Sequence, residues 1–74
     1  MSSISSLAET LADDVLAAQE EIGNDRLFVE IGAVLAAASQ TLEEAFLTEC
    51  RIRLAERKAR AALAAKLEAH RSGS

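Results

Sequence analysis

The chain of 74 residues has one cysteine, Cys50, and one histidine, His70. A catalytic pair would need them within hydrogen-bond reach of each other. On one straight helix, twenty positions separate them by about 30 Å. A lone cysteine makes no internal disulfide, and the pair is too few for four-cysteine or two-cysteine, two-histidine zinc sites. Cys50 therefore reads as a compact hydrophobe in a helix seam. His70 reads as a cation in the last turn of a helix, where it complements the dipole. Glu68 lies two positions before His70, on a different helix face, so the two do not form a metal-binding pair.

Acids occur in adjacent pairs: Asp13 with Asp14, Glu20 with Glu21, Glu43 with Glu44. Neighbours on a helix point about 100° apart, so such pairs do not converge on one ion. The Asp-x-Asp-x-Asp-Gly calcium pattern is absent. So are a glycine-rich phosphate loop and a nucleophile elbow. The sequence predicts no enzyme, no cofactor and no metal site.

Residues 49–71 carry seven of the eight basic residues. Residues 1–48 hold nine acids and one base, a net −8, whereas residues 49–74 hold three acids and seven bases, a net +4. Such asymmetry suggests a basic segment for an acidic partner. Its candidates are Arg51, Arg53, Arg57, Lys58 and Arg60, and a nucleic-acid-binding regulator using residues 51–60 is the alternative function. The wheel weakens that alternative. Arg51 and Lys58 share one side, while Arg53, Arg57 and Arg60 share another. Glu49–Arg53 and Glu56–Arg60 sit at i,i+4 in the favourable order. Neither Trp nor Tyr is present, and no aromatic falls in this segment for base stacking. Membrane contact is not expected, because the apolar side of this segment is mostly Ala. No stretch approaches the ~18 apolar residues of a spanning helix.

The elements that carry these residues are helical. Ala, Leu, Glu, Arg and Lys dominate and Pro is absent, a strongly helix-forming mixture. The interior turn signal is "IGNDR". Gly23 can end a helix in the left-handed conformation, and Asn24 or Asp25 can accept from the amides that open the next. Helix 1 is expected over about 4–22, capped by Ser6 in a capping box with Glu9 or by Ser3. Its apolar stripe is Ile4, Leu7, Leu11, Val15, Ala18 and Ile22. After the turn at 23–25, helix 2 is expected over about 26–71, with a flexible tail at 72–74. "TLEE" at 41–44 permits a break near Ser39–Thr41, but no Gly or Pro supports one, so the reading is a continuous helix.

At 1.5 Å per residue, helix 1 spans about 27 Å and helix 2 about 65–70 Å. Packed antiparallel, helix 1 covers helix 2 only to about Phe46. There the apolar face of helix 2 rotates. A second face contains Val29, Gly32, Ala36, Leu47, Cys50 and Leu54, with Gly32 and Ala36 small enough to let another helix approach. These six are the expected oligomer interface.

A single domain over 1–74 without a staple has a core worth only about 3–5 kcal/mol, which favours self-association. The expectation is an all-α antiparallel helical hairpin with coiled-coil-like packing. It pairs as a homodimer or higher oligomer, most simply a dimeric four-helix bundle. Such a pair would bring the acidic helix 1 of one chain near the basic tail of the other. The expected function is a protein–protein interaction module: an adaptor, a chaperone-like partner or a structural subunit. Its partner is itself or another helical protein. "MSSISSLAETLADD" lacks a basic region and a long apolar run, so a cytoplasmic location is expected, in keeping with one free thiol.

Overall fold

A computed structural model describes residues 3–73. They form three helices: α1 (Ile4–Ile22), α2 (Leu27–Ala38) and α3 (Gln40–Gly73). No strand occurs among the described residues. The all-α expectation holds. The expected two-element hairpin is corrected to three helices, because the chain breaks at Ser39.

Each boundary has a local cause. Ser3 caps α1, its hydroxyl accepting from the Ser6 amide at 3.1 Å, so the earlier of the two expected caps is used. Gly23 ends α1 at φ 70, ψ 30, a left-handed conformation that costs a side-chain-bearing residue more. The Gln19 carbonyl accepts from both the Gly23 and Asn24 amides, at 2.9 and 3.1 Å. Asn24 then works as expected of a turn residue: its Oδ1 accepts from the Arg26 amide at 3.0 Å. Its amide group also donates to Glu30 at 2.7 Å.

The second break overturns the continuous helix expected over 26–71. Ser39 is extended, at φ −158, ψ 106, and serves both neighbouring helices. Its amide donates to the Leu35 carbonyl at 2.7 Å, closing α2, and its carbonyl accepts from the Glu43 amide at 3.0 Å. Its hydroxyl accepts from the Leu42 amide at 3.2 Å, capping α3. One residue thus links two helices. Burial supplies the reason. Straightening the chain here would carry Phe46 and Cys50 away from α1, yet both are fully buried in the fold. Burying one Phe side chain is worth about 1.5–3 kcal/mol, enough to outweigh the few helical bonds lost at Ser39. α3 continues to Gly73, two residues past the expected helix end at about 71; Ser74 lies outside the described residues.

Helix directions follow from the contacts. Asp13 of α1 meets Arg53 of α3, and Glu20 meets Arg57. Numbers rise together, so α1 and α3 run the same way, with α2 returning between them. The core comprises Ala8, Ala12, Val15, Leu16, Phe46 and Cys50. Leu11, Leu27, Phe28, Ile31, Leu35, Leu42, Ala45, Leu47 and Leu54 pack around it. On α1 the buried face is therefore rotated from the expected stripe. Val15 belongs to both, but Ile4, Leu7 and Ile22 are 46%, 50% and 61% exposed. Fully buried Ala8 and Ala12 let α3 come close enough to enclose Phe46, which a face of Ile and Leu would hold further away.

The Ser39 link is testable by thermal unfolding. Ser39→Ala removes the cap and should lower stability by about 0.5–2 kcal/mol, or several °C in Tm for a domain of this size. Ser39→Asp should retain most of that stability. Equal Tm values for the native protein and Ser39→Ala would show that the cap contributes nothing.

Candidate functional site

The six residues expected at an inter-subunit seam are placed differently from one another. Cys50 is fully buried within its own chain. Gly32 is buried as well, and a Cβ there would lie 3.0 Å from Leu47 Cδ2 of the same chain. Leu47 and Leu54 are partly buried against the same core. Val29 and Ala36 are exposed. The expected seam is corrected accordingly: its Gly32–Leu47–Cys50–Leu54 part closes inside the subunit. The turn at Ser39 brings this face of α3 back onto α2 and α1. Gly32 does permit close helix approach, but the helix that approaches is the chain's own α3.

Burial pushes the Cys50 thiol above its ordinary value near 9, with the charge of Arg53 partly opposing that shift. A buried, neutral thiol is a poor nucleophile and a poor metal ligand. Among the described residues, no group of three or more His, Cys, Asp or Glu side chains could hold a metal ion. No pocket opens among them either.

The basic residues are largely engaged. Arg53 donates through Nε to Asp13 at 2.7 Å and through one terminal nitrogen to the Glu49 carboxylate at 2.6 Å. That nitrogen also reaches the Glu49 carbonyl at 3.0 Å, and the other reaches the Glu9 carbonyl at 3.4 Å. Hydrogen bonds to Asp13 and then Glu49 hold this guanidinium protonated well beyond its usual range. Arg57 pairs with Glu20 at 3.2 Å, and Arg60 pairs with Glu56. Both i,i+4 pairs legible in the sequence are present. Acidic α1 and basic α3 also meet within the chain, through Asp13–Arg53 and Glu20–Arg57. Arg51 and Lys58 lie exposed on another side of α3. The residues 51–60 therefore offer phosphate no single aligned row of arginines.

Two polar residues of consequence escaped the sequence reading. Asp13 reads in the sequence only as one of an acidic pair that converges on no ion, yet it is the α1 end of the Arg53 clamp. Gln19 is 7% exposed, and its side-chain oxygen accepts from the Phe28 amide at 2.8 Å. It caps α2 from α1, where Arg26 supplies no side-chain cap. Its position three and four residues from Leu16 and Val15 was the available signal.

What remains open is apolar surface on all three helices; on α2 it is Val29 and Val34, 40% and 67% exposed. On α1, the outer stripe of Ile4, Leu7 and Ile22 faces outward, with Leu11 half-buried. On α3, every residue from 55 to 73 is exposed, including Leu63 at 57% and Leu67 at 44%. The radius of gyration is 15.7 Å, against about 11 Å for a compact chain of this length. The surface is 5387 Å², against about 4,400 Å² for a compact monomer of this mass. Among the described residues, no helix is long and apolar enough to cross a membrane.

Two measurements check the interior. The raised Cys50 value favours the fold fully below the unfolded value near 9, and that contribution is lost as pH rises through the higher folded value. The stability difference between the native protein and Cys50→Ala should therefore narrow above pH 9; a constant difference to pH 11 would contradict the burial. For Arg53, a double-mutant cycle with Asp13→Ala and Arg53→Ala should give a coupling of about 1 kcal/mol, and zero coupling would remove the clamp. Comparison with protein-family models, curated proteins and solved structures finds no match for this chain.

Proposed function

We propose that this chain is a small non-enzymatic protein–protein interaction module that works by helix–helix packing as an oligomer. The observation that carries the reading is the terminal half of α3. Residues 58–73 form about 24 Å of helix with every residue exposed. Isolated helices of this length are marginal in water. Six of these sixteen residues are Ala, which supports helix formation but buries little. Leu63 and Leu67 share a side of this arm with Ala59 and, two turns earlier, Ile52. A partner helix would cover them.

The excess surface supports the same reading. It amounts to roughly 1,000 Å² over a compact monomer, close to what one partner contributes to a standard interface, about 800 Å². The nucleic-acid alternative draws less support, because Arg53, Arg57 and Arg60 already pair with carboxylates.

Sedimentation equilibrium tests the proposal. The expected mass is a multiple of 7.9 kDa, and the Tm should rise with protein concentration. Leu63→Lys with Leu67→Lys should lower the mass to the monomer while leaving the core, which lies before residue 55, folded. A native mass of one chain at every concentration, with an invariant Tm, would end the reading.

A further inference from the structure

We propose that the occupant of the exposed α1 stripe is the α3 arm of a second copy, in a reciprocal two-fold exchange. The inference rests on the oligomeric reading above and adds to it which surfaces meet and in which direction. Charge separates the chain into two parts. Residues 1–57 hold eleven acids and four bases, a net −7; residues 58–73 hold four bases and one acid, a net +3. An arm laid against another arm would bring +3 to +3. An arm laid against another copy's body brings +3 to −7.

Length and direction agree. α1 and α3 run the same way, and Arg57 lies beside Glu20, so the arm leaves the body at the C-terminal end of α1. A two-fold axis across this point turns the second arm back along the first body. Sixteen residues of arm, about 24 Å, then run along the 19 residues of α1, about 28 Å. With Arg57 level with Glu20 and the second arm antiparallel to α1, Arg60 falls level with Ala17, Lys66 with Leu11 and Leu67 with Thr10, so Arg60 and Lys66 lie within about one turn of Glu21 and Asp14.

The flanks match as well. On the wheel, Asp14 and Glu21 lie seven apart beside the Leu7–Leu11–Ala18–Ile22 stripe, on the side away from the core. Both are exposed. Arg60 and Lys66 border the arm's Leu63–Leu67 side on opposite edges, about 120° apart, and both are exposed too, so either edge of the arm turned towards Asp14 and Glu21 carries a base. An apolar seam edged by opposite charges is the pattern that sets partner and orientation in packed helices. The two-fold repeats the contact, so both arms and both α1 stripes are covered and this contact closes on itself rather than propagating.

Charge reversal in the full chain tests the exchange. One variant carries Asp14→Lys and Glu21→Lys; the other carries Arg60→Glu and Lys66→Glu. Each alone should weaken self-association at least about tenfold by sedimentation, while circular dichroism shows helix content retained. Mixed one to one, the two variants should form a heterodimer near the native affinity, because each arm then meets an α1 of opposite sign. Native oligomer unaffected by the α1 reversal would overturn the exchange and leave the interaction-module reading standing, as would failure of the mixture to associate. A native protein that is monomeric throughout would overturn both.

Discussion

Burial of Phe46 and Cys50 between α1 and the first half of α3 is the constraint on which the other features depend. A chain with two phenylalanines and neither tryptophan nor tyrosine has few large side chains with which to build a core. Phe46 is the largest that is fully enclosed. Enclosing it requires α3 to lie along α1, which requires the chain to reverse after α2, which requires Ser39 to leave the helical conformation. The alanines opposite follow from the same need. Ala8 and Ala12 yield the space that a bulky side chain takes up, so the larger α1 residues are turned to the outside.

Electrostatics reinforces this arrangement. The acidic first helix and the basic last helix run the same way, so their macrodipoles are parallel and give no attraction of their own. Arg53 compensates by joining the two directly. Its planar fork meets two carboxylates and two carbonyls, a set of partners that a lysine's compact ammonium would not satisfy in the same geometry. The clamp is one-quarter exposed on the arginine side, so solvent screens part of its strength. It fixes the register of α1 against α3 more than it adds to stability.

Much of the architecture was legible in the residues. Helical class, the turn at Gly23, the first helix boundaries and the pairs Glu49–Arg53 and Glu56–Arg60 follow from composition and spacing. The break at Ser39 was not legible as a preference, because serine in a helix is only mildly unfavourable and no Gly or Pro marks the place. Tertiary burial decided it. The α1 stripe was misread for a related reason: the wheel ranks residues by apolarity, and it placed Leu7 and Ile22 inward where close packing selected Ala8 and Ala12. The seam drawn through Gly32, Leu47, Cys50 and Leu54 is a true packing line. Its assignment to a second subunit depended on an unbroken helix 2, and it closed within the chain once that helix folded back.

Gln19 makes the stability of α2 depend on α1. α2 is twelve residues long, below the length at which isolated helices persist in water, and its opening turn takes a hydrogen-bond acceptor from a different helix. That acceptor is in place only when α1 is helical and the Gly23 corner is closed. The first turn of the second helix is therefore completed only in contact with the first. Loss of α1 withdraws the acceptor at the start of α2 along with one wall of the core, which couples the stability of the two helices.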